Sequence, residues 1–412
     1  IYHPDHPYSH PGVTLHVDDG RSYLRKTDER YDLIIFALPD SLTLTSQFSS
    51  LRLESFLFTT EAFDEARARL TDDGVIVLYN YYRETWLLRK IAAMLESAFD
   101  HPPFVVSYGG WGRAAVLING PRLAQLNADS PGLMPIYTEN RMTAPRLADD
   151  PHALLLPVIG SGLLRAAEWT GDPSEGGPVP TLATDDWPLL YLRAPSLPGV
   201  YLAGLAMVAA CSLLLVCGVG ARDVGRGFNL HMFFLGVAFM LLETRSLVSF
   251  ALLFGSTWLV NSLVFFAILS SVLLAVFLSA RLRLYPSPGL YALLFGSLLM
   301  AYLLPSDAFL SIDWLPLRYT AASVVAFLPI FLANLVFAGS FRLTGRSADL
   351  AFASNLLGVM VGGMLEYTAL LFGYRHLLLL ALAFYAVSSF LLHRGDLFTP
   401  VHSVLRFLPA RR

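Results

Sequence analysis

Ser354–Tyr374 reads SNLLGVMVGGMLEYTALLFGY, an apolar stretch carrying a single charge, Glu366. At 1.5 Å of rise per helical residue it covers the ~30 Å of a bilayer's hydrocarbon layer. Six further runs of the same kind lie at roughly 200–219, 230–254, 258–280, 288–304, 319–341 and 374–392. Seven such runs in succession cannot share one globular core. In lipid, a helix satisfies every backbone N–H and C=O within its own segment. The spacing therefore predicts an all-α membrane bundle of about seven helices over residues 199–393, followed by a basic tail at 394–412.

The charge distribution agrees. Of the 412 residues, the first 195 hold 25 acidic and 16 basic side chains, and the remainder 7 and 13. An acidic, water-soluble part thus precedes an apolar, arginine-trimmed one. Alternate connections between the apolar runs carry ten arginines on one side and three (Arg193, Arg318, Arg375) on the other. The positive-inside rule puts the richer side in the cytoplasm and the soluble part outside. Cys211 and Cys217 offer neither a metal spacing nor a disulfide framework, and no metal or nucleic-acid partner is expected. Lysine occurs only at positions 26 and 90. With arginine abundant, that suggests a GC-rich bacterial genome and an inner-membrane location.

Ahead of the bundle, strands alternate with helices. Tyr31–Phe36 (YDLIIF) and Gly74–Tyr79 (GVIVLY) are continuous apolar runs, the pattern of strands buried on both faces. Val13–Val17 is a short β-rich run, and Asp72 and Asp73 read as turn residues. Helical spacing covers Ser22–Lys26, Thr60–Leu70 and Glu84–Phe99. Phe104–Ser107 and Arg113–Ile118 form a closing hairpin around Gly109, Gly110 and Gly112. Strand–helix alternation argues for a partial Rossmann-like α/β domain with a parallel sheet over residues 1–120. Residues 121–198 read as an irregular juxtamembrane linker with a loop at Asp172–Pro180; in it Trp187 and Tyr191, with Tyr201 just beyond, suit the headgroup level.

His16–Leu24 (HVDDGRSYL) sets Asp18, Asp19 and Gly20 at the end of the first run. A carboxylate there can accept hydrogen bonds from a ribose hydroxyl or an exocyclic amine, and a glycine lets a ligand approach the backbone. The same residues also serve as a strand-ending turn and a helix cap. The order VDDGRSYL, YDLIIFALPD, Phe58–Leu70 and DDGVIVLY resembles the second half of a spermidine-synthase-like domain, within the class I S-adenosylmethionine-dependent transferase fold. Asp40–Glu61 (DSLTLTSQFSSLRLESFLFTTE), Ala183–Arg193 (ATDDWPLLYLR) and Ser354–Tyr374 are similar to segments of membrane-embedded members of that group.

The resemblance implies a membrane-anchored transferase of the aminopropyl- or methyltransferase type. It would bind S-adenosylmethionine or decarboxylated S-adenosylmethionine and act on a polyamine or other amine, in contact with membrane lipid. Asp19 and Gly20, with Asp18 beside them, stand where the family contacts the adenine side of the nucleoside. Two family aspartates correspond to Ala37 and Asp40. Alanine can neither take a proton nor attract an ammonium, so aminopropyl transfer is not expected, and Asp40 alone is left for a cationic substrate. The chain opens at Ile1, and the glycine-rich loop and acidic ribose ligand of this fold are expected upstream of it. Residues 1–120 alone are expected not to bind a nucleoside tightly.

Charges inside the spans need their own reason, since one at mid-bilayer costs about 2.5–3.5 kcal/mol. Phe239–Phe250 (FMLLETRSLVSF) holds Glu243 and Arg245; Glu366 and Asn355 lie in the sixth span. They read either as a polar site between helices for an amine or lipid headgroup, or as an assembly pair such as Arg245 with Glu366. The first of these supports a second functional class, a transporter or membrane sensor with a non-catalytic transferase-like domain. Gly358 and Gly362 form a small-xxx-small pattern that favours close helix packing.

Overall fold

A computed structural model describes residues 7–37, 56–82, 84–108, 113–123, 164–165, 180–255, 258–304, 309 and 314–397. The chain forms two compact units, residues 1–195 with 254–257, and residues 196–253 with 258–412.

In the first unit, Asp19 caps helix α1 (Gly20–Lys26), its carboxylate accepting from the Ser22 amide at 2.9 Å. Strand β1 (Tyr31–Ala37) follows, then α2 (Thr60–Ala68), capped in the same way by the Thr59 hydroxyl. Strand β2 (Leu70–Tyr82), helix α3 (Thr85–Phe99), strands β3 (Phe104–Tyr108) and β4 (Arg113–Asn119), and the two-residue β5 (Leu164–Arg165) complete it. The sheet order is β1-β2-β4-β3-β5. β1 and β2 are parallel, with Leu33 opposite Val75 and Ala37 opposite Tyr79. β4 inserts antiparallel between β2 and β3, setting Leu78 against Leu117 and Val106 against Val116. The sheet is therefore mixed: the predicted hairpin folds back so that its second strand, not its first, meets β2.

Side-chain alternation places the core. Ile34, Phe36, Ile76, Leu78, Tyr82, Ala115 and Leu117 all point to one face. That face packs against Ala62, Phe63 and Ala66 of α2 and Leu88, Ile91, Met94 and Leu95 of α3. Burying each large side chain contributes about 1.5–3 kcal/mol. The expectation of strands buried on both faces is corrected. Leu33, Ile35 and Tyr79 stay exposed, because the described helices cover only one side of the sheet. Val13–Val17 forms no strand. It remains exposed without a ladder, and β1 ends the sheet on the edge away from β2. Asp72 and Asp73 lie inside β2, where the register with β1 shifts between Tyr31 and Leu33; they mark an irregularity in the strand instead of a turn. Gly109, Gly110 and Gly112 lie outside the described residues, as do residues 172–179 of the predicted loop.

Residues 181–193 fold back onto the first unit. The Thr60 amide bonds to Ala183 O and the Thr181 amide to Arg193 O, both at 3.0 Å. Ala183, Trp187, Leu189, Leu190 and Leu192 are buried. The headgroup role expected for Trp187 is thus corrected, since its ring is enclosed by protein.

The second unit is helical: α4 (Gly199–Gly227), α5 (Leu230–Phe254), α6 (Trp258–Leu282), α7 (Pro288–Leu303), α8 (Leu315–Leu343), α9 (Ala348–Leu365), α10 (Ala369–Phe372) and α11 (His376–Leu397). Among the described residues, five segments are long and apolar enough to cross a membrane: Leu230–Leu253, Val264–Leu282, Ser323–Leu343, Ala348–Phe372 and His376–Arg394. Gly199–Leu214 and Pro288–Leu303 are shorter apolar helices. Phe266, Leu269, Leu273 and Phe277 on α6 are exposed, an apolar surface suited to lipid.

Helices α5 and α9 meet backbone to backbone. A Cβ at Gly358 would overlap the Phe233 carbonyl, one at Gly236 the Asn355 carbonyl, and one at Gly362 would lie 2.8 Å from Val237 O. The contact is fastened by Asn355 Nδ2 donating to Met232 O and the Asn229 amide donating to Ser354 Oγ, both at 3.0 Å. The Gly358/Gly362 pattern is a packing device, as its spacing implies. Gly358→Val is expected to destabilise the detergent-solubilised chain by on the order of 3 kcal/mol. Gly363→Ala, whose Cβ would meet nothing within 4 Å, leaves its thermal unfolding unchanged or slightly raised; comparison of the two melting curves checks this.

Candidate functional site

An open groove of about 440 Å³ runs along β1. Gly20, Tyr23 and Leu24 of α1 form one wall, Leu57 another, and Tyr31 with Leu33–Ala37 the floor. The lining is mostly apolar, with Gly20 at the helix start and Ala37 at the carboxyl end of the strand. The Tyr23 and Tyr31 hydroxyls lie 2.8 Å apart, and Tyr31 donates to Glu29 Oε2 at 3.1 Å. Ligands of open α/β sheets characteristically sit outside the carboxyl ends of strands.

The sequence-predicted residues fall as follows. Asp19 occupies the α1 cap, with Oδ1 on the Ser22 amide. The Asp18 carboxylate accepts from Lys26 Nζ at 2.8 Å and from the Asp19 amide at 2.9 Å. Burial pulls the Asp18 carboxyl upward, but the Lys26 ammonium and that amide outweigh it and hold the group below the usual carboxylate range. Gly20 lines the groove, where a Cβ would stand 3.8 Å from Leu57. Asp40 lies outside the described residues.

Behind the groove lies an ionic cluster that sequence reasoning missed. Arg21 is 2% exposed. Its guanidinium forks onto Glu65, with Nε at 3.0 Å and Nη2 at 2.9 Å. It also reaches both oxygens of Asp185, at 2.5 and 2.8 Å, the Phe56 carbonyl at 2.8 Å and Thr59 Oγ1 at 3.1 Å. Arg25 adds a second cation against Glu65 at 2.8 Å. Burial alone would lower the Arg21 pKa, but the Glu65 and Asp185 carboxylates hold it above its ordinary value. Burial likewise pushes Glu65 up, while Arg21 and Arg25 bring it below normal. Among the described residues Glu61 gains no such cation. Burial and the Asp185 charge push its carboxyl up, even as it accepts from the Asp185 amide at 3.0 Å. The cluster ties α1, α2 and residues 183–187 together, and so fixes the helix start that carries Asp19 and Gly20. Its members were visible as GRSYL and ATDDW, but no local signal pairs residues 164 positions apart.

A second buried cation sits on α3. Lys90 is fully buried; its Nζ donates to Leu189 O at 2.8 Å and Leu192 O at 2.9 Å, and lies 4.6 Å from the Trp187 ring centre. Burial pushes the Lys90 ammonium down to about 7.

Inside the bundle, Thr244, between Glu243 and Arg245, donates to Glu366 Oε2 at 2.7 Å. Glu366 opens a 3₁₀ turn, Glu366–Thr368, that interrupts the helix between α9 and α10. Asn355 is committed to the Met232 carbonyl.

Residues 2–108 match the model of the spermine/spermidine synthase domain family. The chain carries a spermidine-synthase-like domain. That match spans about a quarter of the 412 residues and covers α1, β1, the groove, α2, β2, α3 and β3. No curated protein matches the chain. The spermidine-synthase-like domain is thus joined in one polypeptide to a set of apolar helices of membrane-spanning length.

Two outcomes test the ionic anchors. Arg21→Met leaves the Glu65 and Asp185 carboxylates enclosed without their shared guanidinium. It is expected to destabilise the first unit by about 3–5 kcal/mol, seen as loss of hydrogen-exchange protection in α1 and residues 181–193. Lys90 titrates lower in the folded state than in the unfolded one, so folding releases a proton between those two values. The stability of the 181–193 segment should therefore rise from pH about 7 to about 10.5, by about 1.4 kcal/mol per pH unit. Below that window it should stay flat. Hydrogen exchange, corrected for intrinsic rates, should show this dependence in the native chain and its loss in Lys90→Met.

Proposed function

We propose that the protein is a membrane-anchored transferase-like protein whose β1 groove receives a nucleoside of the S-adenosylmethionine type. The observation that carries this reading is Gly20, which opens α1 onto the groove within the segment that matches the spermine/spermidine synthase domain. The bare glycine admits a flat ring against the helix start. Asp19, the cap of that helix, stands next to the glycine in the chain. The apolar floor of Leu33–Ala37 suits one face of a purine.

Alkyl transfer from a sulfonium needs positioning more than covalent help: a bound amine lone pair would be aimed at the sulfonium-bound carbon, and the thioether nucleoside would leave. Ala37 supplies no carboxylate at the strand end, which argues against the aminopropyl chemistry of the polyamine synthases. A methyltransferase-like or non-catalytic nucleoside-binding role is the better reading. Asp40 remains a proposal for holding a cationic substrate.

A specific observation favours a second reading, a transporter or membrane sensor. Glu366 sits at a 3₁₀ break inside a membrane-length helix, bonded by Thr244 of α5. Such breaks often mark hinges.

The groove is open, so only one side of a bound nucleoside would leave water. Binding to the chain is expected to be weak, with Kd on the order of 1 mM. Saturation-transfer NMR of the detergent-solubilised chain with 5′-methylthioadenosine should show transfer to the purine protons, lost in Gly20→Val, whose branched side chain fills the groove end. Equal transfer in the two proteins, or none in either, rejects the site.

A further inference from the structure

A second polar centre lies in the helical unit, apart from the groove and the ionic cluster. His231 stands at the start of α5 and is buried. Around it gather Ser340 of α8, Tyr291 of α7, and Ser388 and Tyr385 of α11, all 2% exposed or less. Four helices thus contribute polar groups to one point, near the end of the bundle that carries Arg342 and Arg394.

The hydrogen bonds define where each proton sits. His231 Nδ1 lies 3.0 Å from the Ser388 carbonyl, which can only accept, so Nδ1 carries the hydrogen of the neutral ring. Ser388 Oγ, 2.7 Å from Nδ1, donates its own hydrogen to the His231 carbonyl at 3.1 Å and can accept from the ring. The Tyr291 hydroxyl, 3.3 Å from Ser388 Oγ, continues the chain. The lone pair of the neutral ring is therefore on Nε2, which faces Ser340 Oγ at 2.9 Å. In the neutral state Ser340 donates to it. If Nε2 takes a proton, Ser340 has only to turn its hydroxyl to become the acceptor, while the Nδ1 side is unchanged. Both protonation states are thus satisfied by one hydroxyl rotation without moving a helix. The Tyr385 hydroxyl is buried near Tyr291 and has no hydrogen-bond partner among the described residues.

We propose that His231 is a reversible proton-binding site of the helical unit, accepting its proton at Nε2 and held in both states by Ser340, Ser388 and Tyr291. The titratable groups facing it are few. His393 of α11 lies within electrostatic range of the imidazole and packs edge-on against Tyr291, 5.9 Å between ring centres. Tyr291 comes from α7 and Tyr385 from α11. On α8 the nearby Arg342 is turned away, bonded to the Ser279 carbonyl and facing Tyr285. No carboxylate lies among the described contacts of the ring. A proton taken up here adds a positive charge where α5, α7, α8 and α11 converge, and His393, half-buried and further along α11 than Ser388, leads from the site toward the end of that helix.

The test is ¹⁵N-histidine NMR of the full chain in lipid nanodiscs, with the His231 signal assigned through His231→Gln. At high pH the signal should report the Nδ1–H tautomer. Between about pH 8 and pH 5 it should convert reversibly to imidazolium, with the change at Nε2. Ser340→Ala should displace the midpoint, and Ser340→Thr, which keeps the hydroxyl, should restore it. A His231 ring that stays neutral across that range in folded protein overturns the proposal. So does a starting tautomer with the proton on Nε2, or a midpoint indifferent to Ser340→Ala. The titration is read on the native chain, so misfolding of a Ser340 variant does not leave the question open.

Discussion

The first unit depends on how one guanidinium is satisfied. Arg21 cannot lose its proton, so burying it demands acceptors on every side. Glu65 supplies them from α2, Asp185 from a segment 164 residues away, and Thr59 with the Phe56 carbonyl from the approach to α2. None of these partners is useful unless the other two segments are also in place. The result is a helix start, Asp19–Gly20, whose position relative to β1 is set by charge from behind, leaving its front face free to line a groove. Lys90 repeats the logic on α3, using carbonyls and an indole face where Arg21 uses carboxylates.

The helical unit solves a different problem. Lipid offers no hydrophobic drive for helices to associate, so contact must come from shape and from hydrogen bonds. Gly236, Gly358 and Gly362 remove side chains where α5 and α9 touch, and Asn355 and Ser354 use the space for bonds to the facing backbone. The Thr244–Glu366 bond continues the same contact one turn beyond Met240 and Gly362, while the bonds of the His231 side chain run to α8 and α11.

Legibility in the sequence followed the range of the interactions. The apolar runs predicted most of the long helices to within a few residues because helix length and lipid thickness are local facts; the first runs eight residues past its predicted end, to Gly227. YDLIIF and GVIVLY announced strands, yet their continuous hydrophobicity could not tell that helices would cover one face and leave Leu33 and Ile35 bare. Asp19 was readable both as a ligand contact and as a cap; the structure places it as a cap and leaves its other role to experiment. The Arg21 cluster and the His231 centre were missed for the same reason. Each joins single residues from distant segments, and nothing in the neighbouring sequence of Asp185 or Ser388 records the partner it will meet. Two histidines flanking apolar runs, His231 and His393, were the one hint available for the second.

The uncovered side of β1 has a consequence for the behaviour of the first unit in water. Its outer edge offers unpaired backbone donors and acceptors among the described residues, flanked by the bare side chains of Leu33 and Ile35. A flat edge of that kind is a template on which further strands add, from other copies or from unfolded chains. Any strand added to that rim would extend the sheet beyond β1 and pair those groups.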